Sequence, residues 1–155
     1  MSIQHQLERA DLLCKQRGVR FTPTRRNVFT LIASFQGAVS AYDLLDKLKE
    51  LEPNAKPPTV YRALDFLLTQ GFIHKVESLN AFLFCEHFDE DHPMQLLICN
   101  GCGLVVELHD AAIHQAFEQQ AKLNGFAIIS QSIEAHGQCQ QCQKIAPNTQ
   151  HQVPS

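Results

Sequence analysis

Two Cys-x-x-Cys pairs, Cys99-Asn100-Gly101-Cys102 and Cys139-Gln140-Gln141-Cys142, constrain this chain more than any other feature. Each such turn brings two sulfurs to one ion, and two turns complete a tetrahedral site with no position left for water. Four thiolates suit zinc or an iron–sulfur cluster better than magnesium, calcium or manganese. Gly103 after the first pair and Gly137 before the second mark the turns. The gap between the pairs is longer than in a zinc ribbon, so the ion ties together two ends of a domain. The other readings are small buried hydrophobes or a redox disulfide. Two matched pairs in one chain favour zinc over both.

The 155 residues suffice for one good core or two small domains. No apolar run approaches membrane-spanning length. The opening MSIQHQLERADLLCKQ is interrupted by charge and has no signal-peptide core. A cytoplasmic protein is expected, whose reduced cysteines hold metal rather than disulfides. The net charge of -3 is unevenly spread: residues 1–75 carry eleven Lys and Arg against seven Asp and Glu, and the remainder two against nine. Seven of the eight histidines and five of the six cysteines lie from His74 onward. A basic half beside an acidic, metal-rich half suits a DNA-facing domain joined to a sensor or assembly domain. Charge alone does not decide this, because solvated surface charge has the same appearance.

Ile3, Leu7, Ala10, Leu13 and Cys14 recur at helical spacing, with Gly18 as the stop. Cys14 lies on that stripe and reads as core. Thr22-Pro23 opens a second helix with Val28, Leu31, Ile32 and Phe35 inward, and Gly37 ends it. Ser40 and Asp43 form a capping box for a third, with Leu44, Leu45, Leu48 and Leu51 inward. A fourth helix runs from Pro57 to about Gln70. Its core face is Val60, Ala63, Leu64, Leu67 and Leu68, which leaves Thr59, Tyr61, Arg62 and Asp65 near an exposed start. Hydroxyls and a guanidinium there suit phosphate and base-edge contacts in a major groove. Residues 72–76 and 81–85 alternate as a hairpin. Helices, candidate recognition helix and hairpin make a winged helix-turn-helix.

Further on, Gln95–Cys99 and Leu104–Leu108 read as strands flanking the first knuckle. Asp110 caps a helix with Ile113, Ala116, Phe117 and Ala121 inward. Ala127, Ile129, Ile133 and Ala135 alternate along a last strand that delivers the second pair. So thin a domain needs zinc and self-association, which predicts a homodimer. The expected fold is α+β: a winged helix-turn-helix domain over 1–86, a hinge over 87–93, a zinc-stapled α/β dimerisation domain over 94–142 and a polar, flexible tail over 143–155.

With these elements placed, the chain resembles the ferric uptake regulator family, and within it the zinc-sensing branch. The resemblance rests on SAYDLL (Ser40–Leu45), AKPPTVYRALDFLL (Ala55–Leu68), QGF (Gln70–Phe72), HKVES (His74–Ser78), CGLVVE (Cys102–Glu107) and EAHGQC (Glu134–Cys139). It implies a metal-responsive repressor with about two zinc ions per subunit. Cys99, Cys102, Cys139 and Cys142 would hold the structural ion; His74, Cys85, His92 and Glu107 would hold the regulatory one. Two imidazoles, a thiolate and a carboxylate are a sound zinc set, and the thiolate biases it against iron(II) and manganese. His87, Asp89, His109 and His114 can furnish a further weak site. Where the family's iron sensors carry a histidine ahead of the third knuckle cysteine this chain has Gln131, so a complete third site is not expected. Tyr42 and Arg62 match DNA-contacting positions. The implied partner is double-stranded DNA with an AT-rich inverted repeat, bound by a homodimer.

Three other readings stand beside this one. A relative in the same family responds to iron, manganese or peroxide. A zinc enzyme would need an open coordination position, and neither H-E-x-x-H nor H-x-E with P-C-x-x-C occurs. A passive zinc store would bind metal without changing DNA affinity. No small organic substrate and no membrane partner are expected.

Overall fold

A computed structural model describes residues 2–145. The chain divides into two units, Met1–Asp91 and His92 onward.

The first unit begins with three helices, α1 (Ile3–Gln16), α2 (Pro23–Ser34) and α3 (Ala41–Leu51). Their starts follow from local chemistry. Thr22 accepts the Arg25 N–H, and Pro23, lacking an N–H, occupies the first turn of α2. Ser40 Oγ accepts the Asp43 N–H at 3.1 Å and donates to its carboxylate at 2.8 Å. Helix α4 (Pro57–Thr69) follows, then β1 (Ile73–Val76), a 3-10 turn (Glu77–Leu79) and β2 (Ala81–Phe84). The strands pair antiparallel with His74 opposite Leu83. Val39 extends the sheet by bonding Phe82 in both directions, at 2.9 and 2.8 Å. Asn80 turns the hairpin at φ 46°, a conformation asparagine tolerates better than most side chains.

Val28, Ile32, Leu44, Leu48, Leu64 and Leu67 fill the core as expected. Two departures concern α2. Phe29 is fully buried, and Phe35 is 37% exposed because the helix ends at Ser34. Leu51, expected inward on α3, is also exposed. Phe29 sits in an aromatic cluster with Phe21, Phe72, Phe84 and Phe88, at centroid separations of 5.3 to 6.0 Å. Edge-to-face pairs of this kind add about 0.5–1.5 kcal/mol each beyond the area they bury. Phe88 lies in the stretch expected to be a hinge, yet it is buried. Arg9 stacks over its ring at 4.8 Å and pairs with Asp89, which fastens this segment to α1.

The second unit is a three-stranded sheet in the order β4–β3–β5, with β3 (Met94–Cys99), β4 (Val105–Glu107) and β5 (Ser132–Gly137). Strand β4 runs antiparallel to β3 and β5 parallel to it, the crossover being made by α5 (Ala111–Leu123). Asp110 caps α5 by accepting the Ala112 N–H at 2.8 Å. Among the described residues of this unit, Gln95, Leu96, Ile98 and Cys99 are the buried ones. The face of α5 expected to point inward is not buried: Phe117 is half exposed and Ala116 is exposed. Ala127 and Ile129 precede the strand instead of belonging to it, and Ile129 is 99% exposed. Helix α6 (Gln140–Ile145) continues through residues 143–145, which were expected in the tail; 146–155 lie outside the described residues.

Candidate metal centres and nucleic-acid interface

The two knuckles meet in the second unit. One donor atom from each of Cys99, Cys102, Cys139 and Cys142 lies within 4.8 Å of the others. The first knuckle is a tight turn between β3 and β4, with the Cys99 N–H on the Leu104 carbonyl at 2.8 Å and the Gly103 N–H on the Cys99 carbonyl at 3.0 Å. Gly103 has φ +75°, the left-handed region that favours glycine. The second knuckle is the first turn of α6, closed by the Gln143 N–H on the Cys139 carbonyl at 3.0 Å. The parallel pairing of Cys99 with Gly137 brings them together.

Zinc fits this cradle. Cys102 Sγ and Cys139 Sγ are 3.7 Å apart. Sulfurs at tetrahedral vertices about 2.3 Å from zinc stand about 3.8 Å from one another, whereas a disulfide needs about 2.05 Å. A Cβ at position 101 would lie 2.8 Å from Cys142 Sγ, so the turn needs glycine at this close approach. Backbone N–H groups of Cys139 and Cys102 pull the Cys99 thiol down to about 6. Hydrogen bonding with Cys139, then with Cys99, pushes Cys142 up to about 12. The protons are thus unevenly shared among crowded sulfurs, and a divalent cation would let all four bind as thiolates.

The second proposed set is divided between the units, two donors in each. In the first unit, Cys85 is fully buried, and its N–H reaches the Phe72 carbonyl at 3.1 Å, one step beyond the β1–β2 ladder. That register puts Cys85 on the same face as His74, and their donor atoms lie within 4.8 Å. In the second unit, His92 Nδ1 lies 3.7 Å from Glu107 Oε1, and His109 Nε2 lies 3.9 Å from Glu107 Oε2. The members of the expected weak site have other partners: Asp89 holds Arg9, His109 faces Glu107, and His114 Nδ1 meets Gln131 Oε1 at 2.7 Å. Arginine 9 was not singled out from the sequence, since a lone cation on an amphipathic helix carries no signal of its partner.

On the DNA-reading side, Tyr61 and Arg62 project from the first turns of α4, and Tyr42 from the start of α3 is 74% exposed. Thr59, in the first turn of α4, also serves as a cap. Its Oγ accepts the Lys56 N–H at 3.1 Å, closing the α4 N-terminus. At the other end of α4, Arg17 donates to the Gln70 carbonyl at 2.8 Å, satisfying an orphan acceptor of the helix terminus.

The comparisons agree with this geometry. Residues 16–136 match the model of the ferric uptake regulator family. The zinc uptake regulation protein of Escherichia coli strain K12 is 49% identical over 143 residues, which are 92% of this chain and 84% of that protein. A solved structure of a zinc uptake regulator complexed with zinc and DNA is 48% identical with a TM-score of 0.89, covering 94% of this chain and 97% of that one. A crystal structure of holo XcZur is 42% identical with a TM-score of 0.82, covering 92% and 99%. The chain therefore belongs to the ferric uptake regulator family, and within it is most similar to the zinc uptake regulators.

Proposed function

We propose that this chain is a zinc-sensing, DNA-binding transcriptional repressor of zinc-uptake genes, with zinc as corepressor. The observation that carries the reading is the donor set, His74 with Cys85 in the unit that bears α4 and His92 with Glu107 in the other. Neither pair completes a tetrahedral site alone, so binding by all four of these side chains requires both units. Zinc, when bound, supplies a centre that takes all four donors at once. His74 and Cys85 would fix the wing, and with it α4, against the unit carrying His92 and Glu107. Cys85 favours zinc over iron(II) or manganese.

In this reading residues 1–86 read DNA, 87–93 join the two units, and 94–142 dimerise. Cys99, Cys102, Cys139 and Cys142 hold a structural ion, giving two zinc ions per subunit. The small number of buried side chains in the second unit and its exposed Phe117, Phe126 and Ile129 support self-association. The dimer works in the cytoplasm on an AT-rich inverted repeat whose half-sites lie about one helical turn, roughly 10 base pairs, apart. Tyr42, Tyr61 and Arg62 contact DNA, and Thr59 holds the end of the helix that presents them. Metal and operator favour the same conformer, so each strengthens binding of the other. Relatives in the family are regulators, and a four-protein-ligand centre leaves no position for an activated water, which sets enzymatic readings aside.

His92→Ala tests this. The variant is expected to keep one tightly held zinc and to lose zinc-dependent operator binding. Undiminished zinc-dependent binding would refute the assignment.

A further inference from the structure

His109 stands outside the four regulatory ligands, yet the second unit builds it into their neighbourhood. The Glu107 carboxylate lies between two imidazoles, with Oε1 3.7 Å from His92 Nδ1 and Oε2 3.9 Å from His109 Nε2. The two rings face edge to face at a centroid distance of 4.9 Å and 77°. Nitrogen and oxygen donors about 2.0–2.1 Å from a tetrahedral zinc stand about 3.3–3.4 Å apart, so each imidazole lies about half an ångström beyond ligand spacing from its own carboxylate oxygen.

The backbone around His109 is held on both sides. The Leu108 N–H bonds the Gln95 carbonyl at 2.8 Å, and Gln95 Nε2 bonds the Asp110 carbonyl at 3.2 Å. Gln95 is itself buried, so His109 extends from a fixed turn. Two residues beyond Glu107, where β4 ends, it turns its ring back to the same carboxylate. Side-chain exposure falls from 37% at His109 to 14% at His92 and 12% at Glu107, which makes His109 the solvent-side member.

We propose that His92, Glu107 and His109 form an entry site for zinc contained wholly in the second unit. Two histidines and a glutamate are an established zinc set that leaves one position open. His74 and Cys85 would then replace His109 and the water at that open position, completing the four-ligand site. The proposal rests on the regulatory assignment of His92 and Glu107, and it adds a loading step that does not require the first unit.

The test uses full-length protein with zinc retained in the four-cysteine site, titrated with cobalt(II) or zinc(II) against a competing chelator. In the native chain the cobalt that binds beside that zinc is expected to show a thiolate charge-transfer band from Cys85. The His74→Ala/Cys85→Ser variant is expected to lose that band but still bind one cobalt as its second ion, with visible d–d absorption, at lower affinity. Adding His109→Ala should abolish that binding. In the otherwise native chain, His109→Ala alone should slow capture of the ion, read by stopped-flow growth of the thiolate band, while leaving its equilibrium affinity unchanged, because His109 is displaced from the completed site. Loss of the second ion in His74→Ala/Cys85→Ser overturns the entry site, as does unchanged binding after His109→Ala is added. If the native chain lacks the thiolate band and matches His74→Ala/Cys85→Ser, the four-ligand reading fails, and the His109→Ala arm still decides the entry site.

Discussion

Gly101→Ala separates the metal's contribution to the second unit from that of packing. The added methyl would meet Cys142 Sγ at 2.8 Å and its Cβ at 3.1 Å. Relief to ordinary van der Waals contact moves the sulfur by about 0.6 Å or more. Without metal that movement is a side-chain rotation at a half-exposed cysteine and costs little. With zinc bound, metal–ligand distances hold to about 0.2 Å, so the sulfur cannot yield without weakening its bond. Structural zinc should bind on the order of 10- to 100-fold more weakly, or ~1.4–2.8 kcal/mol. The assay pairs chelator competition for the tighter zinc with thermal melts in zinc and in chelator. The variant should melt like the parent in chelator and below it in zinc. Native zinc affinity, or an equal deficit in both melts, would refute the account of the knuckle.

Cys85→Ser should weaken regulatory zinc while preserving the circular dichroism spectrum, whereas Cys99→Ser should unfold the second unit; equal damage from both would contradict the division into two centres. Arg62→Ala should weaken operator binding in anisotropy titrations without altering zinc content, and unchanged binding would place recognition elsewhere. Thr59→Val, which removes the acceptor for the Lys56 N–H, should cost about 0.5–2 kcal/mol in denaturant melts, and Thr59→Ser should restore it. A change in operator preference without loss of stability would make Thr59 a base reader instead. The hydrogen bond from Arg9 holds the Asp89 carboxyl below its usual range. That contact therefore stabilises the first unit above the ordinary carboxylate pKa and is lost as pH falls through the lowered value. For so exposed a pair the effect stays under about 1 kcal/mol. Asp89→Asn should accordingly lessen acid sensitivity in urea melts, and an unaltered acid limb would show that the pair does not contribute.

The first unit was legible in sequence because its signals are local. Thr22-Pro23 and Ser40 with Asp43 announce helix starts through contacts made within three residues. Leu44, Leu45 and Leu48 repeat at helical spacing, and the core they enter belongs to the same unit. Phe29 and Phe88 were missed because their burial depends on an aromatic cluster assembled from α2, the segment around Phe72, β2 and the segment beyond it. The second unit was less legible. Phe117 and Ile129 follow apolar patterns that promise burial, but one chain provides no surface to cover them. The parallel pairing of β5 with β3 joins residues far apart in sequence, and nothing near Ser132 marks where the strand starts.

The metal ligands were legible by type and spacing, but the surroundings that distinguish them were not. Gly101 reads as a turn residue, although its more telling property is the missing Cβ beside Cys142 Sγ. Thr59 reads as a DNA contact because it sits at the start of α4, and the structure adds that its hydroxyl serves the helix terminus. His109 is two residues from Glu107, and only the structure sets its ring against His92.

The most direct test is fluorescence anisotropy of an AT-rich inverted-repeat operator from a zinc-transporter promoter, titrated with this protein at buffered free zinc, with iron(II) and manganese(II) in parallel. Tight binding that appears only as free zinc rises is the predicted result. Binding restored by iron or manganese but not zinc would contradict the metal assignment. Binding indifferent to every metal, by protein shown to be folded and dimeric, would contradict the sensor itself.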